Sequence, residues 1–303
     1  MKESRLRRWG LLACVLGGTA DQDSLAVVLS RVEFLRIEGM LQLSRVEVAV
    51  QLQDKVALIT GANSGIGKAI ALRYGQAGAN VAINYVTDPE AAEEVRRHVE
   101  DMGRCAITVK ADISQVGQVR DMVGQTIDAF SRIDILVNNA GLQIEKAFPE
   151  LTPEDWDKMT RVDLRGTFLV TLHAVQEMIK RKHGKIINVT SVHQEIPKPY
   201  FAPYCAAKAG VGMLTKVLAV ELAPYKISIN NLAPGAIETP INIDVLRDPE
   251  KLKRVLGQIP WGRMGQPEEV AEMAVYLASD AAEYVTGATF VIDGGLTQQV
   301  VQY

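Results

Sequence analysis

Tyr204 and Lys208 stand four residues apart in Tyr204-Cys205-Ala206-Ala207-Lys208, so on a helix they share one face. A phenol is a poor base at neutral pH, and an adjacent ammonium favours its phenolate form. Each tenfold gain in phenolate is worth about 1.4 kcal/mol, and a useful general base needs roughly a hundred- to a thousandfold. Ser191 lies thirteen residues ahead of Tyr204, and its hydroxyl can hydrogen-bond a reacting oxygen. Phenol, ammonium and hydroxyl together suit proton transfer at an alcohol or carbonyl oxygen. Alone, a Tyr/Lys pair at this spacing is an ordinary helical surface pair. It gains weight from a second motif upstream.

That motif is Thr60-Gly61-Ala62-Asn63-Ser64-Gly65-Ile66-Gly67, between an apolar run and an amphipathic stretch. A helix N-terminus presents unpaired N–H groups and a partial positive charge, which attract a pyrophosphate. Glycines at 61, 65 and 67 permit a tight turn and close backbone approach to a ligand. The spacing is G-x-x-x-G-x-G rather than the commoner G-x-G-x-x-G. A glycine-rich turn is weak evidence by itself; following the first strand of a βαβ chain makes it a dinucleotide site.

The elements that must position these groups follow from the pattern. Val56–Thr60, Val81–Tyr85, Cys105–Lys110, Ile133–Val137, Lys185–Val189, Ile227–Leu232 and Thr289–Ile292 read as seven strands. Amphipathic stretches separate them. Asp88-Pro89-Glu90 and Thr152-Pro153-Glu154-Asp155 combine an N-cap with proline at the first helical position. Continuous apolar strands are covered on both faces, and alternation with helices requires parallel crossovers. The expected fold is α/β: a Rossmann-like, doubly wound parallel sheet of seven strands with helices on both faces.

With Asn138-Asn139-Ala140-Gly141 and Pro234-Gly235, the five motifs resemble, in order, the short-chain dehydrogenase/reductase family over residues 54–303. The resemblance implies an NAD or NADP cofactor and hydride transfer between nicotinamide and an alcohol/carbonyl pair. It makes Tyr204 the acid/base, with Lys208 lowering its pKa and holding the nicotinamide ribose, and Ser191 stabilising the substrate oxygen. It implies cofactor contacts from Gly61, Asn63, Ser64, Gly65, Ile66, Gly67, Asp112, Asn139, Gly141, Tyr204, Lys208, Pro234, Gly235, Ile237 and Thr239. It also implies a homotetramer built on apolar helix faces, including Phe168, Leu172 and Val175. Asn138 and Asn139 also suit a bracing role between strands, and Asp112 suits a turn cap.

Where the family carries an Asn before a Leu-x-Gly run, this chain has Asp163 in Val162-Asp163-Leu164-Arg165-Gly166. Asp163 is either a catalytic residue placing negative charge near Lys208 or an outward partner of Arg161 or Arg165. The second strand ends in Asn84-Tyr85-Val86-Thr87, with neither the acid that selects NAD nor an arginine for a 2′-phosphate.

Ser191-Val192-His193-Gln194-Glu195-Ile196-Pro197 is similar to the corresponding run of bacterial glucose 1-dehydrogenases, as is Ala233–Asn242. Gln143, His193 and Glu195 would suit a polyhydroxylated substrate. The expected activity is oxidation of glucose to its lactone. The alternatives are a 3-oxoacyl thioester reductase of the same family, or a non-catalytic NAD(P)-binding sensor. A lid is expected over residues 236–262.

Composition narrows the remainder. The 303 residues carry 33 basic and 36 acidic side chains, a formal charge of −3. No stretch supplies the excess of Lys and Arg that a nucleic-acid partner needs, and no apolar run reaches bilayer-spanning length. The three cysteines, Cys14, Cys105 and Cys205, form neither a disulfide framework nor a metal motif. A cytoplasmic enzyme without a metal is expected. Residues 1–53 fit that picture least: Lys2, Arg5, Arg7 and Arg8 precede a short apolar stretch like a targeting signal. An unstructured extension or a non-native start is the expectation for this segment, with one catalytic domain over 54–303.

Overall fold

The computed structural model describes residues 51–298; the expectation for residues 1–53 falls almost wholly outside them. Three residues of that segment are described, and they include Leu52, which is fully buried. Its backbone N–H donates to the Ala77 carbonyl at 2.9 Å. The packed unit thus takes in residues just ahead of Asp54.

Seven strands form one sheet: β1 (Val56–Ile59), β2 (Asn80–Tyr85), β3 (Ala106–Lys110), β4 (Ile135–Asn138), β5 (Gly184–Val189), β6 (Ile227–Pro234) and β7 (Thr289–Ile292). Their order is β3-β2-β1-β4-β5-β6-β7, and every pair is parallel. The chain order reverses between β1 and β4. At such a switch point the loops leave in opposite directions and open a crevice beyond the carboxyl ends of the strands.

Alternate residues of each strand enter two separate cores. Ile59, Ile83, Val137 and Ile187 pack against α1 (Gly65–Gln76), α2 (Pro89–Asp101) and a later helix (Pro267–Ala278). Leu58, Ala82, Leu136, Ile186 and Ile229 pack on the opposite face. That face is covered by α3 (Val116–Phe130), α5 (Thr167–Arg181) and α6 (Ala202–Leu222). The doubly wound sheet expected from the sequence is the observed fold.

The helical region that opens at Pro153 is interrupted. After α4 (Pro153–Thr160) the backbone widens into a π-helical segment, Arg161–Gly166, before α5 begins. A Cβ on Gly166 would come within 2.8 Å of the Ile113 side chain, so the segment presses close to the loop after β3. Between β6 and the last helix lie two short helices, α7 (Ile243–Arg247) and α8 (Pro249–Leu256); Pro267–Ala278 is α9. Among the described residues, no helix is long and apolar enough to cross a membrane.

Candidate active site

A cleft of about 570 Å³ opens at the switch point. Its floor is the glycine turn between β1 and α1. Gly61 and Gly65 have φ of +60° and +53°, a region that L-residues avoid. Gly67 serves differently: a Cβ there would lie 2.3 Å from the Gly61 carbonyl oxygen and 2.4 Å from Asn139 Nδ2. It does not line the cleft, and lets helix and turn close on each other. Asn139 clamps the turn, its Nδ2 donating to the carbonyls of Thr60 (2.9 Å) and Gly61 (3.0 Å). Asn84, buried at the end of β2, accepts from the Gly61 N–H at 3.2 Å and donates to the Val109 and Ala111 carbonyls. Asn84 therefore braces the turn and is not free to grip a ribose.

The start of α1 suits a dinucleotide. Ser64 caps the helix without a side-chain hydrogen bond, and no acidic residue occupies the first turn. The unpaired N–H groups keep their partial positive charge for an anion. Asn63, Ser64, Gly65, Ile66, Asn139, Gly141, Pro234, Gly235, Ile237 and Thr239 line the cleft from there toward Tyr204 and Lys208. Among the described residues, Asp163 is the one carboxylate that lines it. Lys68 is engaged with Glu94 at 2.9 Å.

Asp112 and Glu195 do not line the cleft. Asp112 caps a turn, its Oδ1 accepting from the Ser114 N–H at 2.9 Å. Glu195 is exposed and accepts from the neighbouring Gln194 side chain at 3.4 Å.

Ser191 lies two residues beyond β5 and caps a single 3-10 turn, Val192–Gln194; its Oγ accepts from the His193 N–H at 3.1 Å. Tyr204 and Lys208 sit in the first half of α6, and all three residues are buried. Lys208 Nζ lies 5.6 Å from the centre of the Tyr204 ring and donates to the Val189 carbonyl at 3.2 Å. The His193 ring meets Tyr204 edge-on at 6.5 Å between centres. Burial pushes the His193 imidazole below its ordinary pKa, favouring its neutral form.

Asp163 turns inward, away from Arg161 and Arg165. The Arg165 guanidinium instead donates to the Ser114 carbonyl at 2.9 Å. Asp163 is fully buried in the π-helical segment, with Oδ2 3.3 Å from Lys208 Nζ. Its Oδ1 accepts from the Leu142 N–H at 2.9 Å. A Cβ on Gly141 would lie 2.9 Å from Asp163 Oδ2, so glycine there gives the carboxylate its room. Burial raises the Asp163 pKa against the pull of Lys208. For Lys208, burial pulls the pKa down, and Asp163 and Tyr204 more than offset it.

The outer wall was less legible in sequence. Ile196, Pro197, Pro199, Ile241, Val245 and Val255 form its apolar part, the last three from residues 236–262, and Lys198 and Gln258 stand among them. Gln143 and His193 also face the cleft. However, His193 Nδ1 is 3.3 Å from the Ile196 carbonyl and Asn242 Nδ2 already donates to the Ile237 carbonyl. Trp156 and Trp261 are exposed and outside the cleft. The apolar α5 and α6 stripes do leave Phe168, Leu172 and Val220 exposed.

A parallel sheet of this order, a glycine turn on an uncapped helix and a buried Ser–Tyr–Lys group define a nicotinamide-dependent oxidoreductase. Comparison with known proteins agrees. The family model described as enoyl-(acyl carrier protein) reductase matches residues 61–297. The 3beta-hydroxysteroid dehydrogenase 1 of Eggerthella lenta is 44% identical over 81% of this chain and 95% of its own. Glucose 1-dehydrogenase 2 of Bacillus subtilis is 40% identical over 81% of this chain and 96% of its own. The crystal structure of a gluconate 5-dehydrogenase from Burkholderia cenocepacia, in complex with NADP and tartrate, is 39% identical. It superposes with a TM-score of 0.79 over 83% of this chain and 98% of that one. The chain belongs to the short-chain dehydrogenase/reductase family and is an NAD(P)-dependent oxidoreductase.

Proposed function

We propose that the protein oxidises and reduces a CH–OH/C=O pair with Tyr204 as proton carrier, Ser191 as hydrogen-bond donor to the reacting oxygen and Lys208 as electrostatic support. The observation that carries this is the burial of all three beside the dinucleotide-type cleft. The nicotinamide, when bound, accepts hydride in oxidation and supplies it in reduction. In oxidation Tyr204, as phenolate, takes the hydroxyl proton while the carbinol carbon loses hydride, leaving a C=O bond. The Lys208 ammonium stabilises the phenolate oxygen. Asp163 holds Lys208 in place from behind.

For the substrate, the run Ser191–Pro197 and the similarity to a glucose 1-dehydrogenase support a sugar alcohol, with glucose giving its lactone. A second reading has its own observation. Six residues of the outer wall are aliphatic or proline, and His193 Nδ1 and Asn242 Nδ2 are already engaged. An apolar ring alcohol, such as the steroid that names the Eggerthella relative, would cover that aliphatic surface, whereas a polyol would depend on Gln143, Lys198 and the other polar groups of the cleft.

One panel tests both readings: aldoses, polyols, 3-oxoacyl thioesters and apolar ring alcohols, each with NAD and NADP, followed by reduced-nicotinamide absorbance. Turnover of glucose supports the sugar reading; turnover confined to ring alcohols replaces it; turnover confined to thioesters overturns both. Tyr204→Phe should abolish turnover while keeping cofactor affinity. Unchanged turnover in that variant would remove Tyr204 from the chemistry. Absence of turnover across the whole panel would favour a sensor.

A further inference from the structure

One row of the sheet is polar across four strands. Asn138, Asn188, Asn231 and Thr289 are register partners across β4, β5, β6 and β7. Asn138 Nδ2 donates to Asn188 Oδ1 at 2.8 Å, and Asn188 Nδ2 donates to Thr215 Oγ1 at 2.9 Å. The Thr215 hydroxyl donates to Asn231 Oδ1 at 2.6 Å, and Asn231 Nδ2 donates to Thr289 Oγ1 at 3.2 Å. Every link points the same way, from β4 to β7, so each bond polarises the next. Thr215 belongs to α6, two and three turns beyond Lys208 and Tyr204.

The row ends on Gln194. Its Nε2 donates to Thr289 Oγ1 at 3.3 Å, while its Oε1 is buried without a hydrogen-bond partner. A Cβ on Gly212 would lie 3.3 Å from that oxygen, so Gln194 is wedged between β7 and α6. Gln194 closes the 3-10 turn that Ser191 opens, and its backbone N–H donates to the Ser191 carbonyl at 3.0 Å. The hydroxyl and the phenol thus ride on different elements, a turn after β5 and the helix α6. The polar row is bonded to both.

We propose that Gln194 is a positioning residue. Through Thr289 it fixes the 192–194 turn to the row that also holds α6, and so sets Ser191 against Tyr204. This rests on the proposed roles of Ser191 and Tyr204. A buried polar row is costly unless fully paired, and an apolar row would bind sheet to helix equally well. What hydrogen bonds add here is direction, which placement of a hydroxyl within a few tenths of an ångström requires.

The experiment is a double-mutant cycle on the full-length enzyme, using Gln194→Met, Thr289→Val and both together, with Thr289→Ser as the conservative variant. The read-outs are kcat and KM on whichever panel substrate turns over, cofactor Kd and Tm. Each single variant should lower kcat about tenfold, with substrate KM and cofactor Kd within about twofold. The double variant should fall no further than the singles, and Thr289→Ser should restore kcat to within about twofold. Multiplying losses, or kcat unchanged in Gln194→Met, would overturn the proposal. So would a loss that follows Tm and is shared by Thr289→Ser. Tyr204→Phe, assayed alongside, separates the two failures: if it retains turnover, the reading of the site has failed and not the latch alone.

Discussion

The Asp163 carboxylate lies 3.3 Å from the Lys208 ammonium, with both side chains buried. Oδ2 makes no aligned hydrogen bond; the contact is an ion pair at a place where one partner alone would be a stranded charge. Removing one member of such a pair is typically far costlier than replacing both. Lys208→Met should destabilise the fold at pH 7 by about 3–5 kcal/mol, read by chemical denaturation. The double variant Lys208→Met/Asp163→Leu should recover much of that. A destabilisation as large in the double variant would show that the ion pair is not the cause.

The same carboxylate gives stability a pH dependence. Its folded pKa is raised by burial, so the ionised form costs the native state free energy at pH above that value. As pH falls through the raised folded pKa, the native state gains relative to Asp163→Asn. The gain stops below about 4, where the unfolded carboxyl is also protonated. Denaturation curves of the two proteins between pH 4 and 8 should show wild type gaining on the variant as pH falls; the opposite slope would refute the shift.

His193 has the other sign. Burial lowers its folded pKa, so below about pH 6.5 the unfolded chain takes up a proton that the native state resists. Stability is lost as pH falls through that window. His193→Gln should flatten this part of the profile. Direct titration of the His193 ring by NMR, giving a midpoint at or above the ordinary value, would contradict it.

Gly67→Ala puts a Cβ onto the Gly61 carbonyl oxygen at 2.3 Å. Backbone must move, at a cost of about 1–3 kcal/mol or more, and the turn that moves is the one lining the cofactor end of the cleft. Both Tm and NADPH affinity should fall. Gly124→Ala, in the middle of α3 with nothing within 4 Å, should instead raise Tm by an amount worth up to about 1 kcal/mol. Equal behaviour of the two would show that crowding at Gly67 is not what matters.

Glu269 is held at a pKa of about 2 by the Arg263 guanidinium, helped by the Gln266 N–H. The contacts are 2.7 and 2.8 Å to Arg263 and 2.7 Å to the Gln266 N–H at the start of α9. A depressed carboxyl stabilises above its unfolded pKa and loses that contribution as pH falls from about 4.5 toward 2. Because the pair is exposed, the expected loss in Glu269→Gln is that of a helix cap, about 1 kcal/mol at pH 7, vanishing near pH 2. A deficit that persists in acid would point away from the charge.

Much was legible from the chain alone because its signals are local. The seven strands appear within a residue or two of their predicted bounds, since continuous apolar runs between capped amphipathic helices admit one kind of sheet. Gly61 and Gly65 were legible because only glycine tolerates their backbone angles, and Tyr204 with Lys208 because one helical turn puts two side chains on one face. Glu195 was not, since a loop's hydrogen bonds decide which way it points. The widened segment Arg161–Gly166 has no mark in composition, and so the inward turn of Asp163 could not be told from an outward one. The row from Asn138 to Thr289 joins residues up to 151 positions apart, and only strand register brings them into line. Sequence dictated which groups could perform chemistry, through short-range sterics and periodicity. Long-range packing decided which of them face the cleft, which charge Lys208 answers to, and which buried amides hold the turn carrying Ser191.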